Sequence, residues 1–290
     1  MTPPSSSLAV GRFGEAPRGP DAVDVGDSHR ANLFDRARQS LQRHPIAMSC
    51  HFRHSLVLAW ALPAGVLEPL VPHGLTLDTY DDTWGFLAVA LVHTERLRPA
   101  SFPARLGRSY LLTGYRTFVR HTDAAGRERR GLHILRSDTD RRSMKVGGNL
   151  LTHYNYRLAR IDFTEDDHVL RVVIATHHRE ADLDVIAHLD QPAGLPANSP
   201  FRSPLDARRF AGPLPWTFDH EAATDSIVMI HARRTNWRPT PVLVEVGTAT
   251  FLDDPRFDGI VPVLANAFHV ADVDYGWERG VRIRLDQADR

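Results

Sequence analysis

The chain is almost without lysine: Lys145 stands alone against 34 arginines. Cysteine is equally scarce. Cys50 is the only one in 290 residues, so no internal disulfide can form, and a cytoplasmic address fits. No long hydrophobic run is present; the longest, Leu56 to Leu62, falls far short of the ~20 residues that span a bilayer. The first twenty residues, MTPPSSSLAVGRFGEAPRGP, lack the basic start and apolar centre of a secretory signal. Net charge is also absent, with 35 basic and 35 acidic residues, so no bulk field draws the chain to nucleic acid or an anionic membrane. Missing too are a GxGxxG after a strand, a P-loop, a GxSxG, an HExxH and any cysteine pair. No cofactor or metal is therefore expected.

What is present is a long run of strand-like segments. Residues 1–27 are rich in Pro, Gly, Ser and Asp and are expected to be disordered. Residues 28–45 carry Leu33, Phe34, Ala37 and Leu41 at helical spacing, predicting a short amphipathic helix that ends at Pro45. From 46 to 290 a single domain is expected. His51–Leu62 reads as a buried strand, Pro63–Leu70 as a helical turn, and Leu75–Tyr80 and Trp84–Thr94 as two further strands. Strands at 109–121 and 131–137 precede a helix over Arg141–His153, capped by Asp138 or Asp140. Further strands are predicted at 155–163, 168–178, 214–220, 226–236, 242–251, 268–275 and 281–285, with a Pro-rich loop over 190–206. Strands that follow one another without helical alternation favour a mainly antiparallel sheet system, best relieved of its edges by closing into a barrel.

Tyr110 to Ile161 concentrates the chemistry. Strand alternation sends Tyr115, Thr117 and Val119 to one face and Arg116, Phe118 and Arg120 to the other. A guanidinium on an aromatic strand either holds a carboxylate, with Tyr115 completing the orientation, or pairs with a structural acid. His93 and Glu95 end a strand, where they serve as an acid–base pair or stand as loop residues in water. His153, Tyr154 and Asn155 follow the expected helix, and at least one of them is a candidate for a cavity wall. Lys145 is a candidate imine former if desolvation keeps its amine neutral, and otherwise a solvated helix residue. His231 and Trp237 offer a further pocket wall, with Arg233, Arg234 and Arg238 nearby for an anion. His177 and His178 lie near Glu180, Asp182 and Asp184, but neighbouring strand residues face opposite ways and would not share an ion.

Several segments in order, LPAGVLEPLVPHGL (62–75), YDDTWGFLAV (80–89), GYRTFV (114–119), GLHIL (131–135) and LLTHYNYRLAR (150–160), resemble the uncharacterised YqjF-like branch of the acetoacetate decarboxylase-like superfamily. His231 with Trp237 and Pro239 resembles its later His and Trp-Pro element. The resemblance covers roughly residues 46–280. It implies a cone-shaped antiparallel β-barrel with a few short helices and a small-molecule cavity, and it allows a homo-oligomer. The sequence departs from the decarboxylase where a tandem lysine would make a Schiff base: the best register puts Asn155 and Tyr156 there, and Lys145 lies ten residues earlier. The usual Pro before Tyr is His153. The expectation is an enzyme acting on a small organic keto acid, lyase- or decarboxylase-like. Arg116 would grip the carboxylate, with Glu95, His153 and Lys145 as further catalytic candidates, and Tyr115, Tyr154, Asn155, His93, His231 and Trp237 would line the site. The alternative is a barrel that binds a small acidic ligand without turnover.

Overall fold

A computed structural model describes residues 38–285 except 192 and 213. The expected disordered segment, 1–27, and most of the expected helix, 28–45, lie outside the described residues. Of the latter, residues 38–42 are helical. The chain is mainly β, with short helices, as its patterning predicts. In order come β1 (Met48–Pro63), α1 (Ala64–Leu67), β2 (Thr76–Leu77), β3 (Trp84–Pro99), β4 (Arg108–Thr122), β5 (Glu128–Thr139) and α2 (Arg142–Leu151). Then follow β6 (Tyr156–Glu165), β7 (Val169–Thr176), β8 (Leu183–His188), α3 (Pro204–Ala211), β9 (Trp216–Glu221) and β10 (Ser226–Arg234). β11 (Thr240–Pro241), β12 (Leu243–Ala249), β13 (Val263–Trp277) and β14 (Val281–Arg284) complete the chain. Among the described residues, no helix is long and apolar enough to cross a membrane.

Seven strands close on themselves in the order β5–β9–β10–β13–β1–β3–β4 and back to β5. The closure removes the exposed edges that a long open sheet would present. Most pairings are antiparallel, but β5 pairs in parallel with both β9 and β6. The β5–β9 seam needs Gly131: a Cβ there would stand 2.5 Å from the Phe218 ring and 2.6 Å from the Trp216 carbonyl oxygen. β6, β7, β8 and β12 continue from β5 as a second sheet that lies outside the ring.

Strand alternation divides the ring into two faces. Outward-facing Leu56, Leu58, Leu87, Val89 and Leu91 pack with Ile161, Val172, Ile174, Leu183 and Val185 of the second sheet to form the largest core cluster. The inner face carries small side chains, including Ala88, Ala90 and Gly114, and these leave the ring hollow. At one end Phe86 stacks on Phe118 and Phe201, at centroid distances of 5.5 and 5.1 Å, and plugs the interior.

Three local expectations change. β8 forms in a stretch for which no element is predicted, and α3 begins inside the predicted Pro-rich loop, 190–206. α3 is set by Ser203, whose hydroxyl accepts from the Asp206 amide, with Pro204 as the first helical residue. α2 has no side-chain cap: Asp140 accepts from the Leu111 amide instead, and Asp138 pairs with Arg136. β13 starts at Val263, five residues before the predicted Phe268, and its length lets it span β1 along nearly its whole extent.

Candidate functional site

The hollow of the ring is a cavity of about 110 Å³, several times the ~10–15 Å³ that a single water occupies. Arg116 projects into it from β4. Gly114, two residues earlier on the same face, makes room for the guanidinium: a Cβ there would lie 3.1 Å from Arg116 Nε. A register shift between Tyr115 and Arg116 opposite β5 bends the ladder at the same point.

Arg116 makes no hydrogen bond or ion pair with any described residue, and its Nε is buried without a partner. The other arginines near the interior do not share this condition. Arg43 forks onto Glu221 at 2.6 Å, Arg120 and Arg130 share the buried Asp78, and Arg136 forks onto Asp138 and reaches Glu180. Arg116 as a whole is half-buried, and a cation drawn out of water without a counter-charge is costly, so an anion beside it would be favourable.

A second cation, Arg234, lines the same cavity from the end of β10. It donates to the Leu214 carbonyl at 2.7 Å and lies over the Trp237 ring at 5.1 Å. Burial, and repulsion from Arg116, lower its pKa. Tyr154, Tyr156, Tyr275 and Trp237 supply aromatic walls. The Tyr154 hydroxyl and the Trp237 indole N–H are buried without partners. Burial raises the Tyr154 phenol well above its usual range and pushes Tyr156 up to about 12, so both keep their hydroxyl protons near neutral pH and can donate hydrogen bonds. Asp219 shares the inner face of β9 with cavity-lining Thr217. Its Oδ2 is buried and unpartnered, and burial pushes its carboxyl up to about 7. The cavity meets a wider recess through the shared walls Arg234 and Tyr275. That recess also carries Arg96, Arg98 and Arg233, a cationic approach for an anion.

The candidates from sequence divide accordingly. Arg116, Tyr154 and Trp237 meet at the cavity. Tyr115 does not: it points outward into the main core, stacks on Phe251 at 4.3 Å and donates to the Ala181 carbonyl. Adjacent strand residues face opposite ways, so Tyr115 cannot orient a ligand held by Arg116. Lys145 is exposed on α2, away from the cavity, and cannot form an imine there. His93 borders a recess outside the ring with His54, Phe163 and Glu165, and burial lowers its pKa. Glu95 pairs across from His51 at the far end of β3. His153 stands beside the Arg43–Glu221 pair, with Nε2 3.9 Å from Glu221, and burial lowers its pKa. Asn155 is exposed at φ 49°, a left-handed turn into β6. His231 leans on Trp216 at 4.5 Å, lies 3.4 Å from Glu278 and faces the outer recess.

Sequence reasoning passed over Asp219, Tyr156 and Tyr275 as site residues and gave Arg234 only a passing role. A cue was present for Arg234, which ends a strand carrying the apolar run Ile227–Ile230, whereas Asp219 stands in β9 beside His220 and Glu221, where a charge draws no notice. His177 and His178 sit in a 3-10 turn rather than on a strand, and Glu180, Asp182 and Asp184 are engaged by Arg136, Thr176 and Arg171. Among the described residues, His73, His220 and Asp225 are the one group whose potential metal-ligating atoms all lie within 4.8 Å of one another. There His73 Nδ1 and His220 Nε2 stand 3.1 and 3.3 Å from Asp225 Oδ1.

With this geometry in view, comparison with known proteins settles the family and the fold. The chain belongs to the DUF2071 family, described as an uncharacterized conserved protein (COG2071), which matches residues 49–272. No curated protein matches it. Among solved structures, an acetoacetate decarboxylase from Legionella pneumophila superposes with a TM-score of 0.54 at 12% identity, over 84% of this chain and 89% of that one. An acetoacetate decarboxylase-like enzyme from Sphingomonas wittichii RW1 gives 0.52 at 15% identity, over 84% and 94%. The enduracididine biosynthesis enzyme MppR, complexed with pyruvate, gives 0.53 at 9% identity, over 82% and 90%. At these identities the likeness establishes a shared fold, that of the acetoacetate decarboxylase-like proteins.

Proposed function

We propose that this chain is a lyase-like enzyme that takes a small organic keto acid into the ring cavity, holds its carboxylate on Arg116, and acts on the neighbouring carbons without forming an imine. The observation that carries the reading is the unpaired Arg116 guanidinium in a cavity with unpartnered donors on Tyr154 and Trp237. A guanidinium receives a carboxylate through two parallel N–H···O bonds, which fixes the acid's orientation as well as its charge. That one neighbour of the same fold is complexed with pyruvate supports the choice of acid.

No lysine lines the cavity, so the electron sink must be the keto group itself. A carbon-bound proton next to the carbonyl leaves for the Asp219 carboxylate, and its electron pair moves onto the keto oxygen. The charge that develops there is met by Arg234 and by the Tyr154 hydroxyl. Asp219, with a carboxyl poised at about 7, has the basicity a general base needs at neutral pH. The enolate so formed can expel a hydroxyl from the next carbon, which breaks a C–O bond; the departing oxygen takes the proton now on Asp219 and leaves as water, while the gripped carboxylate remains. The second reading is a binding barrel without turnover. The absence of a lysine from the described lining of the cavity favours it.

Two measurements separate these readings. Calorimetric titration of the full chain with pyruvate should show binding, weakened by about 10- to 100-fold in Arg116→Gln, as loss of a charge-assisted pair predicts. Proton NMR of pyruvate in D2O should show enzyme-dependent loss of the methyl signal, absent in Asp219→Asn. Binding without exchange would favour the non-catalytic barrel. No binding of any 2- or 3-keto acid, from pyruvate and acetoacetate to longer chains, by the native chain would remove both readings.

A further inference from the structure

The ring cavity has an apolar neighbour. Beneath α2 lies a groove of about 190 Å³ whose own walls include Ile46, Met48, Leu97, Met144 and Leu151. Leu112, Tyr154, Tyr156 and Trp277 belong to both spaces. The two tyrosine rings, 6.2 Å apart between centroids, therefore stand between a cationic compartment and an apolar one. The groove brings one cation to its lining, Arg98, whose guanidinium is already engaged with the Arg96 and Phe102 carbonyls. Ile46 remains 41% exposed at its side.

We propose that the α2 groove receives the apolar tail of the acid whose carboxylate Arg116 holds, so that the ligand class is amphipathic keto acids with an alkyl or aryl chain rather than acids of pyruvate size. This rests on the reading of the ring cavity as an acid site. Two features support it. Proximity comes from the four shared walls: the groove adjoins the ring cavity across Leu112, Tyr154, Tyr156 and Trp277, so a chain that passes between these side chains reaches it from Arg116. Chemistry comes from the lining, which offers an apolar surface gained only by a chain of carbon atoms. Tyr154 and Tyr156 then act as the collar between head and tail, and their unionised phenols suit that place.

Gly147 supplies the test. It lines the groove from α2, and a Cβ at this position meets nothing within 4 Å. Gly147→Phe should fill the groove without a clash, and replacing a helical glycine favours α2 itself. Titration calorimetry of the full chain would follow straight-chain 2-keto acids from pyruvate to 2-oxooctanoate. The dissociation constant should fall about fourfold per added methylene, the equivalent of ~0.8 kcal/mol each, until the groove is full. Gly147→Phe should flatten that series and leave pyruvate binding unchanged. Gly147→Ala should behave as the native chain, and Arg116→Gln should weaken every member alike. If pyruvate binds through Arg116 but affinity does not rise with chain length, or rises equally in Gly147→Phe, the tail site is overturned and the acid site stands. If no acid in the series binds, the acid site falls and the tail site with it.

Discussion

Replacing Asp219 by asparagine should make the protein more stable, and only above a definite pH. Asp219 is 3% exposed, its Oδ2 has no partner, and burial pushes its carboxyl from 3.8 to about 7. The raised value means that between about pH 4 and 7 the folded chain still holds a proton that the unfolded chain has released. Stability from this group is therefore full below about pH 4 and declines as pH rises to about 7. At 1.36 kcal/mol per pH unit, the penalty reaches roughly 4 kcal/mol once the group is ionised in both states. Asparagine has nearly the same shape and cannot ionise. Urea unfolding of Asp219→Asn against the native chain should show a gain of up to ~4 kcal/mol at pH 8, shrinking toward zero near pH 4, with unchanged slopes. An equal difference at both pH values would refute the reasoning, as would a loss of stability at pH 8, which would mean that the carboxylate has a partner in the folded chain. The same variant should lose the deuterium exchange expected of a general base, so stability and activity would move in opposite directions.

His269 predicts the reverse pH dependence. Burial, then repulsion from His54 at 3.0 Å, lower its pKa to about 4, so stability is lost as pH falls from about 6.5 to 4. The loss is about 3 kcal/mol, less for the part of the ring open to solvent, and His269→Gln should remove it from the acid limb of a stability profile. Phe86→Ala should cost about 3–5 kcal/mol by opening a void among Phe118, Phe201 and Phe210, read from the urea midpoint. Lys145→Arg should leave both keto-acid binding and exchange unchanged, and borohydride reduction of the native chain with pyruvate should add no mass to the peptide holding Lys145.

The fold was legible because each segment's pattern agreed with its place. Alternation over β1, β3 and β4 marked two faces, and both faces are used: Leu56, Val89 and Tyr115 go to the outer core, and Val57, Ala88 and Arg116 to the cavity. Where periodicity was short or masked by proline, as at β8 and α3, the reading failed, since a six-residue strand and a Pro-started helix carry little pattern of their own. The site was legible only in part for a different reason. A cavity is defined by what is missing around a side chain, and a sequence shows what is present. Arg116 and Arg136 look alike on β4 and β5; one is free because Gly114 leaves it a hollow, the other is forked onto Asp138 and Glu180. Tyr115 and Tyr156 look alike too, yet one faces the second sheet and the other the ring. Tyr156 is the telling case, because it stands where the resemblance to the decarboxylase calls for a lysine. A phenol pushed up to about 12 can donate a proton but cannot condense with a ketone. Under the proposed reading, an acid held on Arg116 leaves Arg234 and the Tyr154 hydroxyl, rather than an amine, to meet the charge on its keto oxygen.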